Sequence, residues 1–554
     1  MMVDRRVALG RELRKGTRSA HRVLAGARGL SPRATASWAW ARARRRDQTA
    51  SKENSSFTWV VATESDTTIL WVHNYWSDAY AIPSPTFDVT LIDGAGVTAA
   101  QWSLTLDPDA TAAVDVRQEC LDRGVTLPFE GQALLVLADE RVVPGRPVQV
   151  FAEYVRDDGE ASGVHGQYGL MRAPLAQLVG GVRVDPDPAW RNAMVVVNAY
   201  DGPGGPVACH PRLEILAADG GIRRCVLEPL APRASTRVYV DDLVPDLAAF
   251  LGGEPGQMRV AVPYAGSRAA SFIEDRSDGR RVVNHATIDR VFDQGLGIAP
   301  GWATSQPVVS VLVQADEHRD TVITLPNVWG PVAAGYPVEV RLYRPDGTEL
   351  LRHRLTVPER TTCDVSLRDL LVAAGVALPV VAHGEVRIGS VPSAAEQPAI
   401  LDLVVGLRDD GEPAGEVQVG GEFFNADIPP GVAVPDIRRT RVFTRVRSDD
   451  HARTWLFLGY PAPIDAEPTA VARPLLTLLD SSGRRRATTE VEIPVHGCLL
   501  AELTELFGAE AAEVLGPEHA GALRVRDTGA RLYGYHLVEV DGARSVVIDH
   551  LVGG

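Results

Sequence analysis

Apolar and polar residues alternate in short runs along most of this chain, which predicts β-strands with one buried face. Segments 67–72, 338–343 and 399–405 are rich in β-branched and aromatic residues. Glycine (51 residues) and proline (38 residues) separate such runs at short intervals, and long stretches of helical periodicity are scarce. The pattern therefore predicts an all-β protein.

The same order of landmarks recurs four times after residue 53, at a spacing of about 125 to 130 residues. Each copy has an apolar run that ends in an aromatic cluster, at Asn74-Tyr75-Trp76, Asn198-Ala199-Tyr200, Asn327-Val328-Trp329 and Gly459-Tyr460. A turn pair typical of β-hairpins follows, at Asp93-Gly94, Asp219-Gly220, Asp346-Gly347 and Asp480-Ser481. We interpret the recurrence as a tandem duplication.

We predict four antiparallel β-sandwich repeats, over residues 54–180, 181–301, 302–437 and 438–554, after a basic leader at 1–53. About seven short strands per repeat resembles, in architecture, immunoglobulin-like and fibronectin-like modules. A unit of this size buries roughly two thirds of its unfolded surface, so we expect each repeat to have its own core. The leader is expected to be largely disordered or partly helical.

Charge is distributed unevenly between the leader and the body. Residues 1–52 carry fourteen basic and three acidic side chains, a net charge of +11, whereas the whole chain carries −15 and the remainder therefore −26. The leader could lie against its own acidic body, act in targeting, or contact an anionic membrane or polymer surface. The side chains suited to an anionic surface are two indoles and four guanidinium groups: Trp38, Trp40, Arg42, Arg44, Arg45 and Arg46. Sedimentation with anionic liposomes, with and without residues 1–53, distinguishes these alternatives, and nucleic acid is the partner we expect least.

Sequence signals for location are sparse. The leader lacks the apolar core of a secretory signal, and no run of 18 apolar residues predicts a transmembrane helix. We expect a protein that is cytoplasmic or peripheral to a membrane. The five cysteines occupy different places in the repeats and have no zinc-binding spacing, which favours buried thiols, although Cys209 and Cys225 could pair across a hairpin.

Common catalytic and phosphate-binding motifs are absent from the body, so we assign no catalytic, cofactor-binding or metal-binding residue. A histidine nevertheless recurs after the last hairpin of three copies, at His165, His285 and His550, while the third copy has Val417 there. Imidazole can serve as a ligand or as an acid–base group. The histidines and the recurring Asn74, Asn198 and Asn327 are not retained together, which favours separate structural roles for both sets.

The first copy is unusually aromatic. Tyr75, Trp76 and Tyr80, with His73 nearby, fall in a predicted loop, where rings could stack on a sugar or anchor a protein. Packing against a neighbouring domain is the alternative.

Three classes of function follow from these patterns. We favour a noncatalytic array of sandwiches that binds or spaces glycan or protein partners. The second is a peripheral protein held to an anionic surface by its leader. The third is an enzyme with an inter-domain site near His73 and His165, which requires those side chains to converge.

Overall fold

The computed structural model describes residues 55–80, 82–138, 148–168, 177–199, 207–262, 270–285, 287–289, 308–326, 335–358, 361–388, 402–420, 440–461 and 471–553. These residues form an all-β, multi-domain sandwich fold, as the alternation of apolar and polar residues predicted. The leader lies outside the described residues. None of the helices in these ranges is long and apolar enough to cross a membrane.

The strands fall into four consecutive groups, called segments 1 to 4 below. Segment 1 contains β1 (Ser55–Ala62), β2 (Asp66–His73), β3 (Thr86–Asp93), β4 (Thr98–Thr105), β5 (Thr111–Asp115), β6 (Phe129–Leu137), β7 (Val150–Arg156), β8 (Ala161–His165) and β9 (Gln167–Tyr168). Segment 2 contains β10 (Gln177–Val184), β11 (Trp190–Val197), β12 (Arg212–Leu216), β13 (Ile222–Val226), β14 (Ser235–Tyr239), β15 (Gly256–Val262), β16 (Ala270–Asp275), β17 (Arg281–His285) and β18 (Thr287–Asp289). Strand β10 crosses the boundary predicted at residue 180.

The second half of the chain continues the series. Segment 3 contains β19 (Val308–Ala315), β20 (Arg319–Pro326), β21 (Tyr336–Tyr343), β22 (Glu349–Val357), β23 (Thr362–Ser366), β24 (Val380–Ile388), β25 (Asp402–Asp409) and β26 (Glu412–Gly420). Segment 4 contains β27 (Thr440–Arg447), β28 (Ala452–Gly459), β29 (Val471–Ala472), β30 (Leu475–Asp480), β31 (Arg486–Glu490), β32 (Ile493–Pro494), β33 (Cys498–Glu502), β34 (Ala520–Asp527), β35 (Tyr533–Val540), β36 (Val546–His550) and β37 (Val552–Gly553).

The helices are short. They are α1 (Trp76–Tyr80), α2 (Val116–Asp122), α3 (Val240–Leu243), α4 (Leu247–Leu251), α5 (Leu367–Ala373), α6 (Leu503–Phe507), α7 (Glu510–Leu515) and a 3₁₀ turn at Gly516–Glu518. Side-chain caps begin two of them: Asp115 accepts hydrogen bonds from the backbone at the start of α2, and Ser366 does so for α5.

One strand order recurs in the four segments. The first layer runs β4-β3-β6-β1-β9 in segment 1, and its counterparts run β13-β12-β15-β10-β18, β22-β21-β24-β19 and β31-β30-β34-β27-β37. The second layer runs β5-β2-β7-β8, with counterparts β14-β11-β16-β17, β23-β20-β25-β26 and β33-β28-β35-β36. In an immunoglobulin constant domain the first strand lies beside the second, whereas in segment 2 β10 lies beside β15, in the layer opposite β11. In segment 1 the pair Ala62 and Thr67 also joins β1 to β2, so the two layers form one nine-stranded sheet.

The last strand of each second layer lies at the centre of the molecule. These closing strands, β8, β17, β26 and β36, pack against one another in cyclic order, so that β36 also contacts β8. Glycine permits the close approach: a Cβ on Gly163 of β8 would lie 2.8 Å from a methyl group of Val547, and one on Gly415 of β26 would lie 2.6 Å from the carbonyl oxygen of Val546. The four segments therefore surround a common axis.

Hairpin turns connect segment 1 to segment 2, segment 3 to segment 4, and segment 4 to segment 1. The amide of Ser235, at the start of β14, donates to the carbonyl oxygen of Gly94 at 3.1 Å. Cys498, at the start of β33, donates to Pro345 at 3.3 Å. Thr111, at the start of β5, donates to Ser481 at 2.7 Å, and this bond returns from segment 4 to segment 1. Head-to-tail contacts of one kind form a ring when the last unit reaches the first.

Two hydrophobic clusters continue across these contacts, whereas segments 2 and 4 each also contain a cluster confined to the segment. The cluster around segment 1 includes Phe272 of segment 2 and Phe443 of segment 4, and Trp59 stacks on Phe272 with ring centroids 5.1 Å apart. A second cluster joins segment 3 to Phe457 and Tyr535 of segment 4. Segments 1 and 3 therefore share apolar clusters with their neighbours.

Candidate functional site

The three recurring histidines meet at the central axis. His165, His285 and His550 end β8, β17 and β36, and we call them the axial histidines. The ring centroid of His165 lies 4.5 Å from that of His285 and 4.4 Å from that of His550. One nitrogen from each ring falls within 4.8 Å of the others. His165 and His285 are buried, and His550 is partly exposed.

Strand register and the packing of the segments explain this meeting. His165 pairs with Phe151 of β7, His285 with Ala270 of β16, and His550 with Tyr535 of β35. Each histidine therefore ends an edge strand at an equivalent position, and packing of the closing strands brings the three together. Val417, at the corresponding place on β26, is buried and apolar.

Two axial histidines have an oxygen acceptor on one ring nitrogen. Nδ1 of His165 lies 3.0 Å and 3.2 Å from the two carboxylate oxygens of Asp549. Nδ1 of His550 donates to the carbonyl oxygen of Leu551 at 3.1 Å. Burial raises the pKa of Asp549, but the interactions with His165 outweigh it and bring that pKa to about 2. Asp549 is thus an anion at neutral pH and favours a proton on Nδ1 of His165, which leaves the lone pair on Nε2.

Further buried polar groups lie beside this cluster. His536 of β35 pairs in register with Asp549, and neither of its ring nitrogens has a hydrogen-bond partner among the described residues. Burial lowers the pKa of His536 to about 3, with Arg445 acting in the same direction, so its ring is neutral near pH 7.

A buried ion pair joins segment 4 to segment 1 nearby. Arg445 of β27 lies 3.3 Å from a carboxylate oxygen of Glu153 on β7, and the side chains are 2% and 0% exposed. The same carboxylate oxygen accepts a hydrogen bond from the indole of Trp71 at 2.8 Å, and the guanidinium lies over that indole, 5.3 Å from its centroid. Burial lowers the pKa of Arg445 and Glu153 opposes this, but arginine remains charged in proteins.

Two of the aromatic residues considered as ligand or partner contacts, Tyr75 and Trp76, are buried against neighbouring parts of the molecule. Tyr75 is 5% exposed and Trp76 is 0% exposed, because Phe443 of segment 4 packs against Tyr75 at 5.2 Å between centroids. His73 is also buried and lies 4.9 Å from the Phe443 ring. The side chain of Tyr80 lies outside the described residues.

The structure does not bring His73 to His165. They occupy β2 and β8, which strand β7 separates. Nδ1 of His73 lies 2.9 Å from the hydroxyl of Thr111, and Nε2 lies 3.3 Å from a guanidinium nitrogen of Arg524. The inter-domain enzyme hypothesis required the two side chains to converge, and each imidazole instead has its own hydrogen-bond partners: Thr111 and Arg524 for His73, and Asp549 for His165.

The recurring asparagines hold loop carbonyls. The Asn74 amide donates to the carbonyl oxygens of Pro83 at 2.9 Å and Asp107 at 2.8 Å. The Asn198 amide donates in the same way to Val207 at 2.7 Å and Ala231 at 3.1 Å. Asn327 lies outside the described residues.

The five cysteines were expected to be buried thiols, with Cys209 and Cys225 as a candidate pair. The cysteines are all free thiols, so Cys209 and Cys225 do not pair. Their strands explain this, since Cys225 pairs in register with Leu213 and Cys209 bridges Leu230.

The side chains proposed for an anionic surface lie in the leader, outside the described residues: Trp38, Trp40, Arg42, Arg44, Arg45 and Arg46.

His73 is expected to make stability depend on pH. Burial lowers its pKa to about 3, and the charge of Arg524 acts in the same direction. An unfolded histidine titrates near 6.5, so stability is fully present above that pH and is lost as pH falls toward 3. Between about pH 6.5 and pH 4.5 the loss should be between about 2 and 3 kcal/mol. We expect His73→Gln to reduce the slope over this range in urea unfolding, while His536, whose pKa is also about 3, keeps part of it. An unchanged slope would contradict this assignment.

Sequence reasoning missed Asp549, Glu153, Arg445 and Phe443, because each acquires its partner from a distant segment. The axial histidines did carry a signal. When repeats close into a ring, residues at equivalent positions of different repeats meet each other. The partners of a recurring histidine are therefore found in the other copies and not within its own copy.

A scan against known family models and a search of curated proteins found no match. Among solved structures, this chain is similar to dimeric latent PorU from Porphyromonas gingivalis, at 8% identity and a TM-score of 0.13. The alignment covers 84% of this chain and 40% of the PorU chain. A match at that TM-score supports neither a shared fold nor a shared function.

Proposed function

We propose that this protein is a noncatalytic scaffold, in which four β-sandwich repeats form one closed ring that presents binding surface to a protein or glycan partner. The observation that carries the proposal is the contact from segment 4 back to segment 1. A linear array of spacer domains does not require a contact between its first and last domains, whereas a closed rigid body requires one.

The contacts between consecutive segments are of the kind that hold domains in fixed positions. The side chain of Arg183 on β10 is 8% exposed and lies 2.8 Å from Asp364 of segment 3. Arg319 of segment 3 lies 2.6 Å from Glu539 of segment 4. Together with the shared hydrophobic cores, these pairs favour one rigid body over independent modules, since small polar interfaces between domains permit relative motion.

Small-angle X-ray scattering of the chain without residues 1–53 tests the ring. A compact body of this length should have a radius of gyration of about 23 Å. A linear array of four sandwiches would have a markedly larger radius and an elongated distance distribution, and that result would contradict the proposal. Binding is tested on the same preparation with a glycan array and with purified candidate proteins, where only saturable binding by the folded chain supports the scaffold.

Attachment of the leader to an anionic surface is a second proposal, supported by the opposite charges of leader and body. It is compatible with the ring, because charge-driven attachment requires only that the leader remain accessible. Such binding should weaken as salt concentration rises.

A further inference from the structure

We propose that the axial histidines form a zinc-binding site that joins segments 1, 2 and 4. The inference goes beyond the proposed scaffold, because it assigns a ligand to the axis itself. The same residues could otherwise be only a packed set of imidazoles, and the experiments below separate the two.

The donor set suits zinc. Zinc is commonly bound by imidazole nitrogens at about 2.0–2.1 Å, and three histidines with an open fourth position are an established arrangement. Nitrogens around a tetrahedral ion at that distance lie about 3.4 Å apart, and the three axial nitrogens already lie within 4.8 Å of one another. Binding one ion would require the rings to rotate until these distances shorten.

Hydrogen bonds prepare two of the rings for this role. Metal-binding histidines usually donate their second ring nitrogen to a carboxylate or a carbonyl oxygen, which fixes the tautomer and the ring direction. His165 has Asp549 in that position and His550 has the carbonyl of Leu551. When Nδ1 of a neutral imidazole donates in this way, Nε2 is the nitrogen that carries the lone pair.

The surroundings explain the number of ligands and the route of entry. Val417 occupies the fourth equivalent position and offers no donor atom, so water or a small anion would complete the coordination. His550 is partly exposed, whereas His165 and His285 are buried. An ion would therefore enter on the side of His550 and lie against two buried rings, and imidazole is a suitable ligand for zinc.

Zinc titration of the full chain, after chelator treatment and dialysis, tests the site. We expect one tightly bound Zn²⁺ per chain and a rise of several degrees in the thermal midpoint, reversed by chelator, because an ion that binds only the folded state stabilises it. His285→Gln and His550→Gln should each lose at least tenfold in affinity. Asp549→Asn, which keeps all three ligands, should lose about 10- to 100-fold.

His318→Gln is the matched control, since His318 is exposed and distant in sequence from the axis. It should bind zinc as the unchanged chain does. Equal affinity in the control and in His285→Gln would mean binding to surface histidines only and would overturn the proposal, as would the absence of bound zinc in the unchanged chain.

If the axial variants do not fold, binding of Co²⁺ to the unchanged chain in place of zinc still tests the proposed site. A four-coordinate site should give the visible absorption bands of tetrahedral Co²⁺, with one equivalent at saturation. A six-coordinate spectrum, like that of Co²⁺ in water, would overturn the proposal without any variant.

Discussion

Glu153→Gln is expected to lower the free energy of unfolding by about 3–5 kcal/mol, because it leaves the buried Arg445 charge without a counter-ion. Glu153 is 0% exposed and Arg445 is 2% exposed. Neither terminal guanidinium nitrogen of Arg445 has a hydrogen bond among the described residues, so the ion pair with Glu153 is its main compensation. Urea unfolding monitored by tryptophan fluorescence measures the effect, since Trp71 contacts both groups.

An exposed ion pair in segment 4 supplies the control. Arg453 and Asp541 lie 2.7 Å apart, but each side chain is 50% exposed. Solvent screens such a pair, so Asp541→Asn should change stability by less than about 1 kcal/mol. A loss of the same size in both variants would show that the Glu153 effect does not come from burial.

Replacing both Glu153 and Arg445 tests whether the uncompensated charge of Arg445 causes the loss of stability. Glu153→Leu combined with Arg445→Met removes the two charges together and keeps apolar volume at the contact. Because a buried ion pair is often replaceable by apolar groups at little cost, the double variant should recover most of the stability lost by Glu153→Gln. Failure to recover would indicate that shape at this contact matters more than charge.

The strands were predictable from sequence because their pattern is local. Residues 338–343 lie within β21, and its apolar positions Val338, Val340 and Leu342 belong to a hydrophobic core cluster. The two polar positions between them are buried as well, and they form an ion pair, Arg341 with Glu339. The turn pairs were predictable for the same reason, since an Asp-Gly pair needs only its own backbone conformation to make a hairpin.

Contacts between segments were not predictable in this way. Gly94 and Ser481 were identified as turn residues, but nothing near them in sequence indicates that their carbonyl oxygens accept hydrogen bonds from Ser235 and Thr111. Tyr75 and Trp76 were predicted in an accessible loop because Phe443, which packs on Tyr75, is more than 360 residues away in sequence. Burial at an interface depends on which faces dock, and alternation along one strand does not specify that.

The role of the recurring histidines was also not predictable, because it depends on contacts between segments. Their equivalence was visible, but the absence of accompanying partners within each copy favoured separate roles. In the structure, the neighbours of His165 are His285, His550 and Asp549, all from other segments. A cyclic arrangement turns one position per repeat into a cluster, so a single recurring residue is sufficient to build a site.

Phe443→Ala is expected to weaken the closure of the ring and to cost about 3–5 kcal/mol, the usual effect of truncating a buried phenylalanine. Phe443 is 3% exposed, and its ring lies 4.9 Å from His73, 5.2 Å from Tyr75 and 6.5 Å from Phe151, all in segment 1. Truncation therefore leaves a cavity between the first and last segments. Urea unfolding measures the loss of stability, and small-angle scattering should detect a larger radius of gyration if segments 1 and 4 separate.

Phe250→Ala provides the matched comparison, because Phe250 is only partly buried and packs within segment 2, where Arg223 lies over its ring at 5.1 Å. Its truncation should cost less and leave the radius of gyration unchanged. If both variants retained the compact radius but Phe443→Ala lost the larger stability, the contact would stabilise segment 1 without being needed to hold the ring closed. If Phe443→Ala lost no more stability than Phe250→Ala, the contact between segments 4 and 1 would be too weak to close a ring, and the scaffold proposal would lose its main support.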